Sequence, residues 1–153
     1  MDKVRILLSM TLHAQKFREI LFQLLFSVQF CDESEELVEM MMAQLAVTKR
    51  SVRDAVGKLR LLMEKVEEID AKIASFSEGY SLDRISLAEK CALRLGVFEL
   101  LYAPEEPAPV VLAEAVRIVR KFGSREGAQF VNALLDTVYR KKEASCDGKV
   151  DES

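Results

Sequence analysis

The sequence predicts an all-α protein, on three observations. Half of the 153 residues are hydrophobic, while Gly and Pro together are scarce (6 and 3), a balance that favours helices. Apolar residues recur at three- and four-residue steps along the chain, the period of a helix and not of a strand. Finally, the stretch Leu87–Tyr102, LAEKCALRLGVFELLY, is apolar on nearly every side of a helical wheel. A helix that is apolar all round must be covered all round, so the segments before and after it must pack against it. The length fits one domain, or two small subdomains sharing a core, and the hydrophobic content is ample to build that core.

Residues 1–10 read as a short lead-in. From Thr11, an N-cap candidate, the spacing predicts a helix to about Phe30, with Phe17, Ile20, Leu21, Leu24, Leu25 and Val28 on one stripe. A second stripe, Phe22, Phe26 and Phe30, recurs at steps of four. Two stripes exceed what one core-facing side requires, so the helix is either sandwiched between neighbours, the favoured reading, or offers a strip to a partner. Ser34 can cap a second helix, with Glu35 and Glu36 where the dipole favours acids, running to about Ala46. Thr48 then caps a long helix to about Phe76, in which Gly57 costs ~1 kcal/mol relative to Ala unless close packing requires it. Ser75–Ser81, with Gly79, is the one boundary between halves, and Ser81 or Asp83 caps the central helix. Pro104, Pro107 and Pro109 end that helix. A helix from about Val110 to Phe122 follows, terminated by Gly123; Ser124 caps the last, which runs to about Arg140. The expected organisation is a single domain with an N-terminal helical subdomain (11–76), a C-terminal one (81–140) and a disordered polar tail (143–153).

The net charge of −3 does not advertise nucleic-acid binding, but a partner meets the local field and not the sum. Residues 31–47 hold Asp32, Glu33, Glu35, Glu36 and Glu39 and no base, whereas Arg117, Arg120, Lys121, Arg125, Arg140, Lys141 and Lys142 dominate 110–142. Cys31, Cys91 and Cys146 match no metal or redox spacing, and Cys91 reads as a small core residue in a reducing cytoplasm. No charge-free apolar run approaches the ~20 residues that span a bilayer, so a soluble, unprocessed cytoplasmic protein is expected. His13 is the only histidine and has no partners at ligand spacing. Gly123 and Gly127 are not followed by the Lys and Ser/Thr of a phosphate-binding loop. The expectation is a non-enzymatic chain without cofactor or metal.

Arg117, Arg120 and Lys121 are three and four apart and share one side of a helix, with Arg125 at the next cap. Lys16 and Arg18 begin the first long helix, beside His13 and Gln15. If the two helix starts meet, they form a basic patch, where Gln129 and Phe130 can offer a hydrogen bond and a stacking face to a base. An ordinary solvated face, with Phe130 in the core, explains the same residues as well.

LAEKCALRLGVFELL, Pro107, VLAEAVRIVRKFG and QFVNALLD in that order resemble the C-terminal half of the NusB family of bacterial transcription antitermination factors, and Arg18-Glu19 before Phe22-Gln23-Leu24-Leu25-Phe26 resembles that family's opening helix. The likeness spans roughly 13–138, strongest from Leu87 on. It implies an all-helical fold of two three-helix subdomains packed around the central apolar helix. It also implies a factor in transcription antitermination and termination that binds boxA RNA of ribosomal RNA leaders. The implied partners are the small-subunit ribosomal protein NusE and, through it, the RNA polymerase antitermination complex. The family's arginine-rich opening segment is thinned here to His13–Arg18, and Ala113, Ala133 and Tyr80 depart from the usual Asn, Gly and Trp. By family position, Glu126 and Phe130 lie near RNA and Phe26 and Glu89 on the ribosomal-protein side, with Phe22 grouped with them from the aromatic stripe. The same stripe serves a homodimer equally well. Two other readings stay open: an RNA-targeting domain like that preceding certain ribosomal RNA cytosine methyltransferases, although the chain stops before a cofactor-binding sheet, and a helical adaptor without RNA binding.

Overall fold

A computed structural model describes residues 2–28, 35–77, 84–103 and 105–151, with side chains described for 14–28, 36, 39–44, 46–77, 84–103 and 105–145. Seven helices and no strand occur among the described residues. The chain forms two compact units, residues 1–63 and 64–153.

The first unit holds α1 (Asp2–Ser27), α2 (Glu35–Leu45) and α3 (Lys49–Glu64). α1 starts at Asp2, not Thr11, because nothing between 2 and 11 breaks a helix. Its central turns are covered on nearly every side: Ile20, Leu21, Phe22, Leu24 and Leu25 are buried, and so are Arg18 and Glu19. α2 is followed by Ala46, a non-glycine residue in the left-handed region (φ 52°), a conformation that costs roughly 1–2 kcal/mol. Thr48 caps α3 as expected, its Oγ1 accepting from the Ser51 N–H at 3.1 Å. Val52, Ala55, Leu59 and Leu62 form the buried stripe of α3. Gly57 faces open space, so close packing does not account for it.

The second unit holds α4 (Val66–Phe76), α5 (Leu87–Tyr102), α6 (Ala108–Phe122) and α7 (Arg125–Asp151). The expected continuous helix over 48–76 is therefore broken at Lys65 (φ −107°, ψ 5°), and the boundary between units falls there and not at 75–81. Beyond the break, α4 packs against α5 and α7. α5 is the hub: it packs against α4, α6 and α7, and nine of its sixteen residues are buried, from Cys91 to Leu100 with Arg94 as the exception. Each large apolar side chain so buried contributes about 1.5–3 kcal/mol. Its cap is Ser86, not Ser81 or Asp83, which lie outside the described residues. The Glu89 N–H donates to Ser86 Oγ at 3.2 Å and the Ser86 N–H donates to Glu89 Oε2 at 3.0 Å, a reciprocal capping box.

Polar latches tie the unit together. Arg94 donates two 2.8 Å hydrogen bonds to the Asp70 carboxylate. The Tyr102 hydroxyl donates to Glu68 Oε2 at 2.6 Å, which holds the phenol above its usual pKa. α7 crosses α5 at Gly96, where a β-carbon would lie 2.7 Å from Leu135 Cδ1. It then continues to Asp151, past the Arg140 where the sequence ended it and through most of the expected disordered tail. No Pro follows Arg140 to stop it, and Lys142 Nζ donates to the Leu100 carbonyl at 2.6 Å while Lys141 Nζ sits 5.0 Å from the Phe76 ring centre. No helix among the described residues is long and apolar enough to cross a membrane.

Candidate nucleic-acid interface

α6 buries Val111, Glu114, Ala115, Ile118 and Val119, a single stripe that leaves its cations off the core. The three differ in use. Arg117 Nε donates to Glu114 Oε2 one turn back, so its charge is largely met within the helix. Arg120 and Lys121 are exposed in the last turn, where the negative end of the helix dipole also favours cations. α6 stops at Gly123 (φ −128°, not left-handed), whose N–H donates to Val119 O. Ser124 caps α7 by accepting from the Gly127 N–H at 2.9 Å. Arg125 then opens α7, exposed and in no ion pair among the described residues.

Glu126, Gln129 and Phe130 share one side of α7 by their spacing; the first two are exposed and Phe130 is half-buried. The corner between α6 and α7 also presents Phe122, 38% exposed, with Lys121 Nζ 5.5 Å from its ring centre. The sequence reading missed Phe122 because it ends a helix next to glycine. Its position just off the buried stripe Val111, Ala115, Ile118, Val119 was the available signal. The corner thus combines cations for phosphates, an amide for a base edge and two aromatic rings, with the acid Glu126 exposed beside them.

In the first unit the expected set divides. Lys16 is exposed, Gln15 half-buried, and the His13 side chain lies outside the described residues. Arg18 is only 6% exposed, a correction: it is taken up inside the unit and does not face a phosphate. Lys16 borders a groove of about 550 Å³ with Phe17, Thr48, Arg50 and Ser51, so Arg50 stands near it although sequence spacing gave no hint of this.

The expected protein-partner set is corrected likewise. Phe22 is 2% exposed and belongs to the core, whereas Phe26 beside it (ring centres 6.5 Å apart) is 38% exposed. Met40, Leu61 and Met63 of the same unit are also exposed. Glu89 is half-buried, and its carboxylate is held by the capping box. A β-carbon on Gly127 would overlap Glu89 Oε1 and lie 3.0 Å from its Cγ, so Glu89 wedges α5 against the first turn of α7 and is not a free surface acid.

The model of the NusB family matches residues 15–140. The chain belongs to the NusB family. It is 35% identical over 126 residues to the transcription antitermination protein NusB of Chlamydia pneumoniae, covering 82% of this chain and 79% of that protein. It is 34% identical over 123 residues to NusB of Pseudothermotoga lettingae, covering 80% and 88%. Among solved structures, a chain in the crystal structure of the antitermination factors NusB and NusE in complex with dsRNA superposes with a TM-score of 0.72 at 25% identity, covering 84% of this chain and 97% of that one. A chain in the crystal structure of a plectonemic RNA supercoil gives 0.76 at 27% identity, covering 87% and 98%. The all-helical NusB fold is thereby established.

Proposed function

We propose that this protein is a cytoplasmic, non-enzymatic antitermination factor that binds boxA-type RNA of ribosomal RNA leaders together with NusE, as part of the RNA polymerase antitermination complex. The observation that carries the reading is the α6–α7 corner, where Arg120, Lys121 and Arg125 are exposed and Lys121 lies over the part-exposed ring of Phe122, in a chain whose structural relative is crystallised with NusE and RNA. In this reading Arg120, Lys121 and Arg125 hold phosphates, Phe122 and Phe130 stack, and Gln129 reads a base edge. Lys16 and Gln15 add contacts from α1, and Phe26 faces NusE.

Removal of Arg18 from the surface and engagement of Arg117 leave few cations. Each missing phosphate contact weakens binding and flattens its salt dependence. RNA affinity of the protein alone is therefore low, and NusE raises it by supplying a second attachment to the same RNA. Anisotropy titration of labelled boxA RNA, with and without NusE and at two salt concentrations, tests this. Binding strengthens with NusE and weakens with salt; an affinity that NusE leaves unchanged overturns the proposal and favours an adaptor that does not bind RNA.

A further inference from the structure

A second charged surface lies in the 64–153 unit, away in sequence from the residues assigned to RNA. α4, the end of α5 and the later turns of α7 enclose a groove of about 370 Å³. Its floor is Phe76, Leu101 and Val138, and its rim is Lys72, Lys141, Lys142 and Ser145; among the described residues no carboxylate lines it. Three acids of the surrounding helices are already engaged, Asp70 with Arg94, Glu68 with Tyr102, and Asp136 with Arg140 at 3.0 Å, while the exposed Glu67 and Glu143 do not line the groove. Among the described residues none of the three lysines forms an ion pair; Lys72 is exposed, Lys141 contacts only the Phe76 ring, and Lys142 uses one of its donors on the Leu100 carbonyl. The groove therefore combines an uncompensated positive rim with a greasy floor.

We propose that this groove docks an acidic peptide segment of a partner protein, with aliphatic or aromatic side chains seated on Leu101 and Val138 and carboxylates met by Lys72, Lys141 and Lys142. The charge excludes a basic partner. The floor argues for peptide over nucleic acid. Base stacking needs an open ring face, and the Phe76 ring, the one aromatic here, already carries the Lys141 ammonium. An extended or helical peptide with alternating apolar anchors and acids fits such a surface. The proposal is independent of the RNA reading and uses none of its residues.

The test uses the full-length protein and a fluorescein-labelled peptide of Glu, Leu and Phe residues, followed by anisotropy. Controls are a peptide with Lys for Glu, a peptide with Ser for Leu and Phe, and a boxA RNA. The Glu/Leu/Phe peptide binds and both control peptides bind more weakly. Lys72→Glu, which removes no contact within the protein, weakens binding, and Lys72→Glu/Lys141→Glu weakens it at least about tenfold while boxA RNA affinity stays as in the parent. The proposal is overturned if the peptide does not bind, if Lys72→Glu leaves its affinity unchanged, or if the Glu/Ser peptide binds equally well, which marks mere ion exchange. Loss of RNA affinity in the lysine variants also overturns it, because the groove then serves nucleic acid.

Discussion

Between residues 18 and 25, α1 is buried on almost every side; α6 buries one stripe and turns the rest of its surface outward. That difference decides the fate of similar residues. An arginine in α1 is enclosed, while Arg120 in α6 stays in solvent. A phenylalanine at position 22 becomes core, and one turn on, Phe26 emerges. Helical spacing tells which side chains share a face. It tells which face is wet only when a single apolar stripe fixes the inside, as in α6.

The sharpest way to break this contrast is to cut the two neighbouring rings of α1. Phe22→Ala removes a fully enclosed ring and costs about 3–5 kcal/mol, enough to lower the urea midpoint severely. Phe26→Ala costs about 1 kcal/mol or less, yet weakens binding of NusE measured by calorimetry. Equal stability losses at both positions would show that Phe26 is as enclosed as Phe22. An unchanged NusE affinity in a folded Phe26→Ala protein would remove this ring from the partner surface.

The next effect contrasts the arginines. Arg18→Glu places the wrong charge in an enclosed site and costs at least about 3 kcal/mol, so any loss of RNA binding accompanies unfolding. Arg120→Glu changes stability by no more than about 0.5 kcal/mol. It nevertheless weakens RNA binding, and neutralising the same position flattens the slope of log affinity against log salt by about 1. Circular dichroism and RNA titrations on the same samples separate the two. An Arg18→Glu protein that is fully stable but blind to RNA would return Arg18 to the interface.

What could be read in advance follows the same rule. α5 was legible because apolar residues on all sides admit one outcome, a helix at the centre of its neighbours, and it packs against three. The α6 cations were legible because the stripe beside them is unambiguous. The dense apolar pattern of α1 hid the burial of Arg18, since a pattern with two stripes has no defined outside. Local chemistry was available but outweighed at the α5 cap: Ser86-Leu87-Ala88-Glu89 is a capping-box sequence, passed over for Ser81 or Asp83. The break at Lys65 had no local signal, because no Gly or Pro marks it. Phe122 was hidden for the opposite reason, being an apolar residue that the periodicity leaves just off the core.

The smallest effect is an expected absence of change, and it guards the others. Cys91 is fully enclosed in α5, and burial pushes its thiol from the ordinary 9.0 up to about 11, against a weaker downward pull from Arg94 and Lys90. The thiolate is the reactive form, so the folded protein keeps Cys91 inert at neutral pH on grounds of both access and ionisation. The sign of its effect on stability follows. Below pH 9.0 the thiol is neutral whether folded or unfolded and contributes nothing; from there towards about 11 the unfolded chain ionises while the folded one does not, and stability declines. In a background with Cys31 and Cys146 replaced by serine, labelling by a disulfide reagent reports on the α5 core alone. Arg120→Glu should leave that rate as slow as in the parent while RNA binding falls, which places the loss at the surface. A rate that rises in step with the lost RNA affinity would instead show that the charge reversal opened the helices around α5, and the wet face of α6 would no longer be separable from its core.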